Sequence, residues 1–424
     1  MSRNRRNKRT IKNIIETISF KNFIIVSSIL LAIIIICLGT IFYRNHKDEQ
    51  LLAKQRKELD KSIDAIFTET IQNIADSNAQ ARDSVIRISA VGDILCGDEM
   101  LDDAYNKETK TYNFSPMFQN INTYISKSDM VLGTMETNFT DNAYSGYGNR
   151  NSPKEFAQAV KDCGINLVTI STNHSLDYGI EGLKTTKEYL QKLGFDTVGD
   201  GLGENSVIIK TIKDTKIAFL SYTYGVENQS SKTKKELEAV NIYSEKTAKK
   251  DLEYAEENAD YTFVLMHWGE AYATKQSKEQ EKIADFLIEN GANVILGNHP
   301  AAIQPMEVKQ NGKGKNVFIE YSLGNYISSI NTDVSKLELV LNIELRKNGE
   351  TGEVVLSKVD YTPIYVLDNG KKAENRYQLI DMKGVAKAYA NGEKNISKKT
   401  YNELIDGLKL LEKVVITKTE ERWK

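Results

Sequence analysis

Short apolar runs alternate with amphipathic segments along the chain from about residue 86 onward. The apolar runs are rich in Val, Ile and Phe, which predicts buried strands. These runs lie at 86–91, 130–133, 167–171, 263–266, 294–296 and 317–321. Helical spacing of apolar side chains occurs at 153–163, 181–193 and 277–290. Strands separated by helices predict an α/β domain with layered sheets.

The longest apolar run, residues 23–43, has 21 residues and no charged side chain. At about 1.5 Å per residue a helix of this length spans the hydrocarbon layer of a bilayer, so we predict a single transmembrane helix. Residues 1–22 carry seven basic side chains and one acidic one. Because cytoplasmic flanks collect Lys and Arg, we expect this arm in the cytoplasm and the main domain outside the cell. A cleaved signal peptide is the alternative, although residues 39–43 contain no A-x-A pattern.

Residues 44–85 contain neither glycine nor proline, and their apolar side chains recur on one helical face. This pattern predicts a stalk helix between the membrane and the domain. We place the domain at 86–345, with its last strand at 337–345. A C-terminal extension is predicted at 346–424, with a strand at 353–359 and a helical tail from about residue 375.

The net charge of −2 hides two unequal parts of the chain. The basic arm carries +6, so the rest carries −8. An acidic domain is a poor partner for a phosphate backbone, which excludes nucleic-acid binding. The three cysteines are too few for a disulfide framework. Cys96 and Cys163 either pair or stay reduced, and the sequence leaves both alternatives open.

Polar side chains follow the predicted strands at the point where each strand ends. In chain order they are Asp93, Glu136, Asn173 with His174, His267 with Glu270, His299, and Asn325. In α/β sheets, ligands bind beyond the carboxyl ends of the strands, where the loops converge. We therefore expect these side chains to form one polar cleft.

Three of the four histidines in the chain lie in this predicted cleft: His174, His267 and His299. Imidazole together with carboxylate and amide oxygens suits Mn, Fe or Zn rather than calcium, and Mg is a further candidate. Such a metal acts as a Lewis acid and lowers the pKa of a bound water to about 7. The sequence thus predicts a divalent metal site.

Six short motifs follow one another in a recognisable order. They are G-D at 92–93, an acid at 136, N-H-x-x-D-x-G at 173–179, H-W-G-E at 267–270, G-x-H-P at 297–300 and Y-S-L-G-N at 321–325. In this order they resemble the CapA family, which serves poly-γ-glutamate capsule synthesis. The resemblance covers about residues 87–330, and a membrane anchor ahead of the domain is also similar to the family's layout.

The resemblance implies a four-layer α/β/β/α sandwich similar to the calcineurin-type metallophosphatases. Carried over by position, the metal ligands would be Asp93, Glu136, Asn173, His267 and His299. It also implies that His174 is a general acid and that Asp177 orients it. Trp268, Glu270 and Asn325 are candidate substrate contacts. Core packing of Trp268 and loop shaping by Asn325 are the alternatives for these two residues.

The chain departs from the family pattern within these motifs. Thr134 stands where the family commonly has asparagine, and Ala271 stands where it has an acid. Ala301 replaces the second histidine of the family's H-P-H, and Leu95 stands where metallophosphatases have the histidine of a D-x-H opening. Because a two-metal site loses two imidazoles on one side by these changes, we predict one cation rather than two.

Three functional hypotheses follow. The first is a single-pass membrane protein that takes part in the synthesis, export or anchoring of an anionic poly-γ-glutamate-type polymer, with synthetase or export subunits as partners. The second is a metal-dependent hydrolase of a phosphoester or amide bond. The third is a non-catalytic subunit that holds polymer or partner proteins, which Ala271 and Ala301 favour.

Overall fold

The computed structural model describes residues 83–203, 206–393 and 395–416. The predicted basic arm at 1–22, the predicted transmembrane helix at 23–43 and nearly all of the predicted stalk at 44–85 lie outside the described residues. Within the described ranges, every helix is too short or too polar to cross a membrane.

The described residues form sixteen strands and ten α-helices. The strands are β1 (Ser84–Ile94), β2 (Tyr105–Asn106), β3 (Thr111–Tyr112), β4 (Met130–Met135), β5 (Leu167–Thr169), β6 (Asp196–Val198), β7 (Ile208–Ile212), β8 (Thr215–Thr223), β9 (Tyr261–His267), β10 (Val294–Asn298), β11 (Met306–Gln310), β12 (Asn316–Glu320), β13 (Asn325–Ile327), β14 (Leu337–Lys347), β15 (Val354–Asp368) and β16 (Tyr377–Asp381). The helices are α1 (Asp98–Ala104), α2 (Ser115–Phe118), α3 (Asn122–Ile125), α4 (Lys154–Asp162), α5 (Gly179–Lys192), α6 (Lys234–Glu238), α7 (Glu245–Asn258), α8 (Lys278–Glu289), α9 (Met382–Ala390) and α10 (Lys398–Ile416).

Fourteen of the strands build two sheets. The first has the order β16-β15-β14-β1-β4-β5-β6, with β13 also paired to β1, and the second has the order β11-β12-β10-β9-β8-β7. Strands β1, β4, β5 and β6 run parallel in the first sheet, as do β8, β9, β10 and β12 in the second. Each sheet therefore has one edge at which the carboxyl ends of its parallel strands lie together.

Three apolar cores separate the layers. The core between the sheets contains Ile86 and Ile88 of β1, and Phe263 and Leu265 of β9. Helices α1 to α5 pack on the other face of the first sheet, and α7 and α8 pack on the other face of the second, against Val264. Because β9 is buried on both faces, its sequence is continuously apolar rather than alternating. The layers run helix, sheet, sheet, helix, in the mixed α/β class that the sequence predicts.

The C-terminal strands extend further than the sequence patterns indicate. The predicted strands at 337–345 and 353–359 become β14, which ends at Lys347, and β15, which ends at Asp368. The tail predicted to be helical from about residue 375 begins instead with β16, and α9 and α10 follow it. The reason is tertiary, since β16 gains its backbone partners by antiparallel pairing with β15 at the edge of the first sheet. The helices predicted at 153–163, 181–193 and 277–290 are present as α4, α5 and α8.

The two cysteines of the described region do not form a disulfide. Cys96 and Cys163 are both buried free thiols. The Sγ of Cys163 lies 3.1 Å from the Oη of Tyr326, and burial raises the pKa of the Cys163 thiol to about 11. Of the two alternatives that the sequence left open, the structure shows the reduced one.

Candidate metal centre

The carboxyl ends of the two sheets meet in one polar cleft. Asn173, which follows β5 of the first sheet, contacts His267 at the end of β9 in the second sheet. A further contact joins the sheets beneath this point, where the side-chain amide of Asn298 donates to Thr134 Oγ1 over 2.6 Å. Thr134, one of the departures from the family pattern, therefore ties β4 to β10.

The Nε2 atom of His267 is the centre of a group of potential metal ligands. Around it lie Asn173 Oδ1 at 2.9 Å, His299 Nδ1 at 3.2 Å and Glu136 Oε1 at 3.7 Å. The ligand atoms of Glu136, His267 and His299 all lie within 4.8 Å of one another. The ligands of a tetrahedral zinc ion, with bonds of about 2.1 Å, lie about 3.4 Å apart. The spacing of these four side chains therefore fits a divalent cation.

Burial keeps both of these imidazoles neutral. It lowers the pKa of His267 to about 4, and together with the neighbouring His267 it lowers the pKa of His299 to about 3. A histidine must be deprotonated to bind a metal. At neutral pH both rings are thus in the form that accepts a cation.

Asp93 lies on the opposite side of the His267 ring. Its Oδ1 atom is 3.5 Å from His267 Nδ1, and both of these buried atoms lack a hydrogen-bond partner among the described residues. Its Oδ2 atom accepts the backbone N–H of His299 over 2.8 Å, which holds His299 at a φ of 97°, a conformation that is strained in residues other than glycine. A carboxylate at the far nitrogen of a ligating histidine orients the ring. In this arrangement Asp93 lies outside the group of converging donors, and the ligand role that the resemblance implied for it stays a prediction.

The buried Asp93 predicts a pH-dependent stability difference. Burial raises the pKa of this carboxyl from 3.8 to about 7, so in the metal-free protein Asp93 stabilises the fold less and less as the pH rises from about 4 to about 7. The variant Asp93→Asn removes this ionisation. Its free energy of unfolding should therefore rise relative to the wild type by about 1.4 kcal/mol per pH unit across that window, and then level off. Urea unfolding of both proteins in EDTA between pH 4 and pH 8 measures the difference, and a constant difference would contradict the assignment.

His174 is held by a carboxylate at the edge of the cleft. Its Nδ1 lies 2.8 Å from Asp177 Oδ2, and the same oxygen accepts the backbone N–H of Arg150 over 2.7 Å. The side chain of Asp177 is 1% exposed, and Asn138 donates from its side-chain amide to the carbonyl of His174. The imidazole is therefore fixed from both its ring and its backbone.

Two of the predicted substrate contacts, Trp268 and Asn325, are buried. Trp268 is 1% exposed, and its indole N–H donates to the carbonyl of Tyr321 over 2.9 Å within the core on the outer face of the second sheet. Asn325 is also 1% exposed and donates from its amide to Ser328 Oγ. Both side chains are therefore buried in packed positions at strand ends, and their contact with substrate stays a prediction. Glu270 is exposed, and its contact with substrate stays a prediction.

The sequence patterns did not identify Arg150, which enters the cleft from the loop after β4. Its Nη1 atom lies 2.7 Å from Glu136 Oε1, in a side chain that is 18% exposed. One signal was available, since Arg87 and Arg150 are the only arginines between residues 86 and 345. In a domain whose other basic residues are mostly lysines, an arginine indicates a position that requires the planar guanidinium, which binds carboxylate or phosphate groups through two hydrogen bonds.

Two more side chains of the cleft carry no sequence signal. Glu227 Oε1 accepts the amide of Asn173 over 2.8 Å and thereby turns the Asn173 oxygen toward His267. The ring of Tyr224 lies with its centroid 4.8 Å from that of His299, and this tyrosine is 49% exposed. Tyr224 thus forms a half-exposed wall of the cleft beside His299.

Comparison with known proteins gives one family. Residues 87–329, more than half of the chain, match the family described as bacterial capsule synthesis protein PGA_cap. The chain is similar to the capsule biosynthesis protein CapA of Bacillus anthracis, with 27% identity over 62% of this chain and 65% of that protein, which is less than two thirds of its length. It is also 27% identical to the PGA biosynthesis protein CapA of Bacillus subtilis strain 168, over 66% of this chain and 72% of that protein.

Solved structures show a more distant likeness. The NAD nucleotidase NadN of Haemophilus influenzae matches with a TM-score of 0.44 and 15% identity, over 78% of this chain and 61% of that chain. A putative 5'-nucleotidase of Staphylococcus aureus matches with a TM-score of 0.41 and 11% identity, over 77% of this chain and 59% of that chain.

Proposed function

We propose, since the chain belongs to the family of bacterial capsule synthesis proteins (PGA_cap), that it takes part in the synthesis, export or anchoring of a poly-γ-glutamate-type capsule polymer. The family match carries this proposal, because residues 87–329 include every member of the donor group described above. The charge-free run at 23–43 supports a single-pass membrane anchor, with the basic arm in the cytoplasm and the domain outside the cell.

The cleft offers a way for an acidic protein to hold an anionic polymer. Without its basic arm the chain carries −8, which repels a polymer of carboxylates. In the cleft this repulsion is reversed by Arg150 and by any cation bound at Glu136, Asn173, His267 and His299. We therefore place polymer recognition at this cleft.

Deletion of the gene tests the family role. We expect loss of polymer from the cell surface, restored by the wild-type chain and not by a chain that carries His299→Ala. The polymer is measured by antibody labelling or by glutamate release after acid hydrolysis of washed cells. Unchanged surface polymer in the deletion strain would contradict the proposal.

A second candidate function, metal-dependent hydrolysis of a phosphoester or amide bond, is favoured by His174 and Asp177. A divalent cation in the donor group would act as a Lewis acid on the bond that is cleaved. His174, oriented through Nδ1 by Asp177, would deliver a proton to the leaving group from its other ring nitrogen. Turnover that is absent while polymer still binds would favour the third hypothesis, a non-catalytic subunit.

The variant His174→Ala tests the hydrolase through the leaving group. A general acid contributes about 100-fold or more to the rate when the leaving group needs a proton, and little when the leaving group is already a weak base. We therefore expect His174→Ala in the Mn-loaded full-length protein to slow hydrolysis of an alkyl phosphate about 100-fold and to leave p-nitrophenyl phosphate nearly unaffected. Equal loss with both substrates would show that His174 has no role as an acid.

A further inference from the structure

Arg150 lies in the cleft with side-chain donors that have no hydrogen-bond acceptor among the described residues. Its Nε and Nη1 atoms are both buried, and neither makes a hydrogen bond with a described residue. The contact of Nη1 with Glu136 Oε1 at 2.7 Å is an ion pair without hydrogen-bond alignment. Leaving buried charged donors unpaired is costly, and such groups call for an explanation.

The backbone of Arg150 is fixed, so the guanidinium is delivered to a defined place. Its N–H donates to Asp177 Oδ2, which also holds His174. Its carbonyl accepts both the backbone N–H and the side-chain amide of Asn138, at 3.2 and 3.0 Å. These three hydrogen bonds of the Arg150 backbone fix the point from which its side chain reaches Glu136.

The guanidinium of Arg150 and a cation in the donor group would both bind the same oxygen, Glu136 Oε1. Glu136 Oε1 contacts Arg150 Nη1 and is also the oxygen that lies 3.7 Å from His267 Nε2 in the donor group. Arginine also binds carboxylate and phosphate oxygens through two parallel hydrogen bonds. A cation that takes over Glu136 thus leaves the fork of Arg150 without its anionic partner.

We propose that Arg150 is an oxyanion-binding residue that pairs with Glu136 in the absence of a cation and binds a carboxylate or phosphate group of the substrate beside the occupied cation site. This inference rests on the proposed function and names the chemistry that the cleft recognises. It makes cation and anion binding cooperative, because the cation frees the guanidinium.

The test titrates the full-length chain in detergent micelles with Mn²⁺, and then with inorganic phosphate or γ-glutamylglutamate at saturating Mn²⁺. Compared with the wild type, Arg150→Gln should bind Mn²⁺ severalfold more tightly and bind the anion about 10- to 100-fold more weakly. Arg150→Lys should recover part of the anion affinity, since it restores the charge without the fork. The two anions distinguish a phosphate source from a carboxylate source.

The matched control is Arg87→Gln, the same change at the other arginine between residues 86 and 345. Arg87 pairs with Glu344 near the start of β1, about 20 Å along the strand from Asp93, and this change should leave both titrations unaltered. Unchanged anion affinity in Arg150→Gln would overturn the inference, as would joint loss of Mn²⁺ binding, anion binding and thermal stability. If the wild type binds anion but not Mn²⁺, and Arg150→Gln loses the anion, the oxyanion site stands and the cation site fails.

Discussion

The variant His267→Ala is expected to bind no divalent cation at concentrations that saturate the wild type. The Nε2 atom of His267 is the point around which the other three donors lie, at 2.9 to 3.7 Å. Changes in residues that only orient metal ligands cost about 10- to 100-fold in affinity, so loss of this central ligand should cost at least about 100-fold. Elemental analysis after dialysis and calorimetric titration with Mn²⁺ measure the effect.

His174→Ala is the matched control, since it removes a cleft imidazole that is outside the converging group. It should retain the wild-type Mn²⁺ affinity. In thermal unfolding, Mn²⁺ at about 100 times its dissociation constant should stabilise the wild type and His174→Ala by about 2.7 kcal/mol and should not stabilise His267→Ala. Wild-type affinity in a folded His267→Ala protein would refute the proposed donor group.

The variant Gly92→Ala is expected to lose a large part of the protein's stability. A Cβ atom at this position would lie 1.9 Å from the carbonyl oxygen of Gly324, a backbone atom that accepts the N–H of Asp93. The contact lies where β13 pairs with β1, so relief requires the strands to part beneath Asp93. We expect a loss of about 3 kcal/mol in the free energy of unfolding, measured by urea titration in EDTA.

Gly312→Ala is the control for the loss of a glycine. A Cβ atom at Gly312, in the loop between β11 and β12, would meet no atom within 4 Å. Its stability should stay within about 1 kcal/mol of the wild type. If both glycine variants were equally stable, β1 and β13 would not approach each other as closely as described.

The sequence predicted which side chains form the donor group, but it did not predict which other side chains contact that group. His267 and His299 follow parallel strands, and the ends of parallel strands share an edge, so their proximity was predictable. Trp268 was ambiguous because its direction depends on whether both faces of β9 are covered, which the strand itself does not reveal. Arg150 was missed because a loop brings it into the cleft, through hydrogen bonds to Asp177 and Asn138 that no local pattern encodes.

The amino-acid sequence by itself determined the class of the fold, the residues available as donors and, through the order of six motifs, the family. Only the tertiary structure decided which donors point to one place. It places Asp93 at Nδ1 of the His267 ring and Arg150 beside Glu136. It also buries His267 and His299, which lowers the pKa of both side chains. The physical reason is that the type of each donor is a property of one residue. Distance and burial at the cleft instead depend on how closely two separate sheets pack.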